Sequence, residues 1–190
     1  MHRDPSEELA NRLLERAARG DLEVLNDARA ARKDALYRQV LDALVERSAD
    51  SANDLRALAD FIARSDGLRS SPALATQLLE IWEQQPVRAH VPTLLRVAAL
   101  SDDAGVFARA VKTILEAWED GRLSGLSAAK LRALCEGEYW LLSSEAKRSG
   151  AGFNLKQTLA DARRRLSKGA PHANQPTDAD FGDEITAKKE

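Results

Sequence analysis

The sequence predicts an all-α protein of about eight helices followed by a polar C-terminal tail, on three observations. The 190 residues include 33 Ala and 27 Leu against 8 Val, 4 Ile and 6 Thr, a balance that favours helix over sheet. Apolar residues recur at three-and-four spacing, the signature of one helix face, through most of residues 1–168. Ser, Asp, Pro and Gly interrupt these stretches where helices start and stop. With 44% hydrophobic residues, positions 1–168 suffice for one core and read as a single domain.

Asp4-Pro5-Ser6-Glu7 supplies an N-cap, a first-turn proline and an acid for a helix that turns Leu9, Leu13 and Ala17 to one side and stops at Gly20. A short helix near Leu22 to Ala30 follows, then a clearer one carrying Tyr37, Val40, Leu41 and Leu44 and ending near Ser48. Ser51 and Asp54 form a capping pair ahead of Leu55, Leu58, Ala59 and Ile62, and Asp66-Gly67 ends that helix. Ser71-Pro72 opens the next, with Leu74, Ala75, Leu78, Leu79 and Trp82 as its stripe and Pro86 as its stop. Pro92 lies near the start of a helix with Val91, Leu94, Leu95 and Ala98. The cleanest stripe is Phe107, Ala110, Val111, Ile114, Leu115 and Trp118, opposite Arg109, Lys112, Glu116 and Glu119. Gly121 and Gly125 bracket a connector. From about Ser127 to Lys147 the pattern predicts one long helix, and Tyr139-Trp140-Leu141-Leu142 within it exceeds a single stripe, implying packing on two sides. Ser149-Gly150-Ala151-Gly152 breaks it, and Asn154 caps a last helix with Leu155, Leu159, Ala162 and Leu166 inward. Turn-forming and then acidic composition over 169–190 predicts a disordered tail.

Residues 53–85 align with 89–121 without a gap at an offset of 36. Leu58, Ala63, Ser65-Asp66, Leu79-Glu80 and Trp82-Glu83 fall on Leu94, Ala99, Ser101-Asp102, Leu115-Glu116 and Trp118-Glu119, all at corresponding places in a helix pair. Val91-Pro92-Thr93-Leu94-Leu95, then Leu100-Ser101-Asp102-Asp103-Ala104-Gly105-Val106, then Ala110 and Ile114, resemble a HEAT repeat. In that family a proline-kinked first helix, an acidic turn and a valine opening the second helix recur. Phe107 replaces the basic residue usual after that valine, and 53–85 lacks the first-helix proline. The period is closer to the tetratricopeptide length, but the tetratricopeptide tryptophan, glycine and tyrosine pattern is out of register. The resemblance implies a right-handed array of about four antiparallel helix pairs, each burying the face its neighbour exposes.

No phosphate loop, dinucleotide fingerprint, zincin helix or nucleophile elbow occurs, so no catalytic residue, cofactor site or metal site is assigned. Cys135 shares a stripe with Leu131 and Leu134 and reads as a buried, inert thiol. Glu80/Glu83 and Glu116/Glu119 lack the histidine partners of a di-metal bundle and read as solvated helix ends. Some HEAT-like proteins, the alkylpurine DNA glycosylases, line a groove with tryptophan. Trp82 and Trp118, however, stand at equivalent repeat positions that core packing accounts for. A single Cys excludes an intramolecular disulfide and points to a reducing cytoplasm. The start Met1-His2-Arg3-Asp4-Pro5 carries no apolar core of a signal peptide, and no apolar run reaches the roughly 20 residues of a membrane span.

The net charge of −2 argues against a protein devoted to nucleic acid, but the charge is unevenly spread. Residues 122–168 carry 10 basic and 4 acidic groups, whereas 169–190 carry 2 and 5. Lys147, Arg148, Lys156, Arg163, Arg164, Arg165 and Lys168 gather around the last predicted helices as a partner-binding patch. The expected function is a non-enzymatic adaptor or scaffold that meets an acidic protein surface there, with nucleic-acid binding through 147–168 as the alternative.

Overall fold

The computed structural model describes residues 5–149 and 155–168, and the side chains of 155 and 156 lie outside the description. Ten α-helices and no strand occur among the described residues. They are α1 (Pro5–Ala18), α2 (Val24–Ala30), α3 (Asp34–Ser48), α4 (Ala52–Arg64), α5 (Pro72–Gln84), α6 (Val91–Leu100), α7 (Ala104–Glu119), α8 (Ala128–Tyr139), α9 (Ser144–Ser149) and α10 (Leu155–Ser167). One 3-10 turn, Arg88–His90, leads into α6.

Local chemistry sets most boundaries. Ser51, Ser71 and Ser127 each hold extended backbone and accept the amide three residues on at 3.2 Å, removing one of the orphan donors of a helix start. The Asp103 carboxylate accepts from both Gly105 N and Val106 N. At Gly125 the backbone is left-handed (φ +75°), a conformation that glycine adopts without the strain a side chain would bring.

Helices α1 and α2 pack on α3, which packs on α4. From there α4 packs on α6 and α6 on α8, while α5 rests against α4, α6 and α7, and α10 lies across α7 and α8. One continuous apolar cluster runs from Leu13 to Leu166. The 3-10 turn with α6 spans 88–100, which is α4 (52–64) displaced by 36, and α7 begins one turn before the position equivalent to the start of α5. The reason is local. Asp103 caps α7 at once, whereas an extended link precedes α5 and donates Ser70 N to Leu100 O.

Trp82 and Trp118 are buried as expected, and each indole Nε1 donates to a carbonyl of the following loop, Val87 O at 3.1 Å and Leu126 O at 2.7 Å. The helix expected over 127–147 is instead two. Trp140, Leu141 and Leu142 donate to carbonyls three residues back, tightening the end of α8. Ser143 then caps α9 by accepting Ala146 N at 3.0 Å. The predicted caps at Asp4 and Asn154 and the tail 169–190 lie outside the described residues.

Candidate partner-binding surface

Three of the seven patch residues are arginines of α10 tied to acids. Its apolar side, Leu159, Ala162 and Leu166, is buried against α7 and α8. That seating brings Arg163 Nε to Glu136 Oε1 at 2.8 Å and lets Arg165 grip both carboxylate oxygens of Glu119, with Nε to Oε1 at 2.6 Å. The hydrogen bond it donates to Glu119 holds the pKa of the Arg165 guanidinium above its ordinary value. Arg164 pairs with Asp161 one turn back. Lys168 is exposed with no carboxylate partner among the described residues, and the Lys156 side chain lies outside them.

Lys147 and Arg148 stand on α9, at a corner of different chemistry. Tyr139 and Trp140 end α8 with their rings edge to face, centroids 5.8 Å apart. The Lys147 ammonium lies 4.9 Å from the first centroid and 5.1 Å from the second, and donates to Trp140 O at 3.4 Å. Arg148 Nε donates to Ser144 O at 2.9 Å. No carboxylate pairs with either cation among the described residues.

Leu142 plugs the core beneath this corner, and Asp102 Oδ1 accepts Ser143 N at 2.7 Å from the α6–α7 turn, 41 residues away. Asp102 holds a left-handed backbone (φ 56°), which Asp tolerates better than most residues. With Leu142 inward, Trp140 and Leu141 face out, 74% and 42% exposed, the only large hydrophobic residues so exposed among the described ones. The periodicity of 127–147 concealed this pair. The signals that could have found it are Gly137, a weak helix former, and the Ser143-Ser144-Glu145 start of a new helix.

No family model, curated protein or solved structure matches the chain. No helix among the described residues is long and apolar enough to cross a membrane.

The other reactive groups have structural work. Burial pushes the Cys135 thiol up to about 12, which keeps it protonated and unreactive. Glu83 meets Arg109 and Thr113, Glu116 meets Lys112, and Glu119 meets Arg165. No group of three or more His, Cys, Asp or Glu suited to a metal ion occurs among the described residues. A polar recess of about 360 Å³ opens beside Tyr37, Arg38, Arg69, Ser71 and Asp102. Its phenol is committed on both sides, donating to Arg69 O at 2.6 Å and accepting Arg69 N at 3.0 Å. Between α6 and α8, Arg96 Nη1 stands 3.8 Å from Glu138 Oε2, and burial lifts the Glu138 carboxyl above its ordinary value despite Arg96.

Proposed function

We propose that the protein is a non-enzymatic interaction module. Its helix pairs stack as a HEAT-like array, and the corner between α8 and α9 engages an acidic protein segment that carries an apolar anchor. The 74% exposure of Trp140, with Lys147 over its ring, carries this reading. An indole whose ring meets Lys147, on a segment that the Asp102–Ser143 bond ties to the α6–α7 turn, loses little entropy on binding, and aromatic side chains of this kind dominate interface energies. Lys147 and Arg148 beside it have no carboxylate partner among the described residues, so a partner's carboxylates meet charge that is still available. The equal 36-residue displacement of α4 and of the 88–100 segment, and the matching burial of Trp82 and Trp118, support the array.

Nucleic-acid binding is the weaker reading because three of the four patch arginines, Arg163, Arg164 and Arg165, are already paired with Glu136, Asp161 and Glu119. Selection of displayed peptides on the full chain tests the proposal. The expected products are acidic peptides with one bulky apolar residue, whose affinity falls about tenfold or more with Trp140→Ala and weakens with salt. Peptides indifferent to Trp140→Ala, or tighter binding of single-stranded oligonucleotides, would refute it.

A further inference from the structure

The sequence beyond the described residues contains a segment whose composition complements the corner. Residues 169–190 contain two large apolar side chains, Phe181 and Ile185, set within Asp178-Ala179-Asp180-Phe181-Gly182-Asp183-Glu184-Ile185. Four-residue spacing places both on one side of the segment whether it binds extended or as a helical turn. Four acids accompany them. This is the inverse of the corner, where Trp140 and Leu141 are exposed beside Lys147 and Arg148, which have no carboxylate partner among the described residues.

We propose that Asp178–Ile185 docks on the Trp140 corner of its own chain and competes there with outside partners. The proposal rests on the reading of that corner as a binding site.

Reach permits it. Arg163 touches Glu136, Trp140 is four residues beyond Glu136 on α8, and Lys168 is five beyond Arg163. At 1.5 Å per residue and helix axes 8–10 Å apart, Lys168 and Trp140 are separated by at most about 25 Å. The 13 residues from Lys168 to Phe181 span up to about 45 Å when extended. A tether of that length gives an effective concentration of about a millimolar, so even a weak segment occupies the corner for much of the time. The charges are complementary: Asp178–Ile185 carries four acids, and Lys147 and Arg148 at the corner have no carboxylate partner among the described residues.

Indole N–H resonances of the full-length chain test the contact, since Trp82 and Trp118 donate to loop carbonyls in the core and report the fold, while Trp140 reports the corner. The double variant Phe181→Ala/Ile185→Ala should shift the Trp140 resonance and leave the other two in place. High salt should move the wild-type resonance the same way, and a synthetic peptide of residues 176–187 should reverse the shift when added to the variant. Outside peptides selected for dependence on Trp140 should bind the variant at least about threefold more tightly than wild type.

A Trp140 resonance unmoved by the variant overturns the proposal, and so does a shift that vanishes on dilution, which would assign the segment to a second copy of the chain. Selected peptides that bind both chains equally sink the tail contact while leaving the partner site intact. A moving Trp140 resonance with no Trp140-dependent outside peptide on either chain has the opposite meaning: the tail contact stands and the partner reading falls.

Discussion

Trp118→Ala should be the most damaging tryptophan substitution in the chain. The indole is 5% exposed, and Phe107, Ile114 and Leu115 on the same helix are fully or almost fully buried, so the hole left cannot fill from solvent. Large-to-small changes of this kind cost about 3 to 5 kcal/mol. The Nε1–Leu126 O bond at 2.7 Å lies in the interior, and losing its donor strands a carbonyl, which costs about 1 to 3 kcal/mol. Trp118→Phe isolates that second part, because it keeps most of the ring and removes only the donor. Against a total stability of about 5 to 15 kcal/mol, the alanine variant gives up a large share and lowers Tm by about 10 °C. Urea melts followed by far-UV circular dichroism measure this, provided the slope stays constant. Trp140→Ala is the internal control: at 74% exposure it should change stability by less than about 0.5 kcal/mol. A loss below about 1 kcal/mol for Trp118→Ala would refute the core assignment.

Three further outcomes are expected. Asp102→Ala removes the acceptor of Ser143 N and should cost about 1 to 2 kcal/mol, whereas Asp102→Asn, which tolerates φ 56° and keeps an oxygen, should cost much less; equal losses would discount the tether. Cys135 should resist thiol reagents in the native protein and react once urea unfolds it, because burial hides the thiol and pushes it up to about 12; rapid native labelling would contradict the burial. Glu138 has its carboxyl raised by burial, so the stability it contributes is fully present below the ordinary carboxylate range and is lost as pH rises through the raised value. Glu138→Gln should therefore match wild type in acid and exceed it at neutral pH, and a Tm difference that does not grow with pH would reject this account.

Most helices were legible because their signals are local. Ser51, Ser71 and Ser127 cap where the sequence places them, and the stripes of α4, α5 and α7 are buried in the expected order. The break inside 127–147 was not legible from periodicity, since Tyr139 to Leu142 satisfies a helix as well as a turn. What decides it is Asp102, which sits 41 residues earlier and offers its carboxylate to Ser143 N. A bond of that sequence separation leaves no trace in the periodicity, and the local hints of a break, Gly137 and the Ser143-Ser144-Glu145 start, are weaker than the continuous apolar pattern around them.

Charge shows the same limit from the other side. Summed along the chain, residues 122–168 hold six excess positive charges, and the arginine run 163–165 looks like their centre. In three dimensions Arg165 meets Glu119, which belongs to the acidic stretch before that window, and Arg163 meets Glu136 on a neighbouring helix. An arginine already holding a carboxylate must break that pair before it can serve a partner, and a two-point pair such as Arg165–Glu119 is the harder to exchange. Lys147 differs because its neighbours are aromatic faces and a carbonyl, which orient the ammonium without cancelling its charge. Replacing Lys147 with Glu should therefore weaken binding of an acidic peptide more than Arg164→Glu does, although both remove one cation and add one acid. Peptide affinities for the two full-length variants at matched salt decide between them. Equal losses would return the binding surface to α10 as a whole.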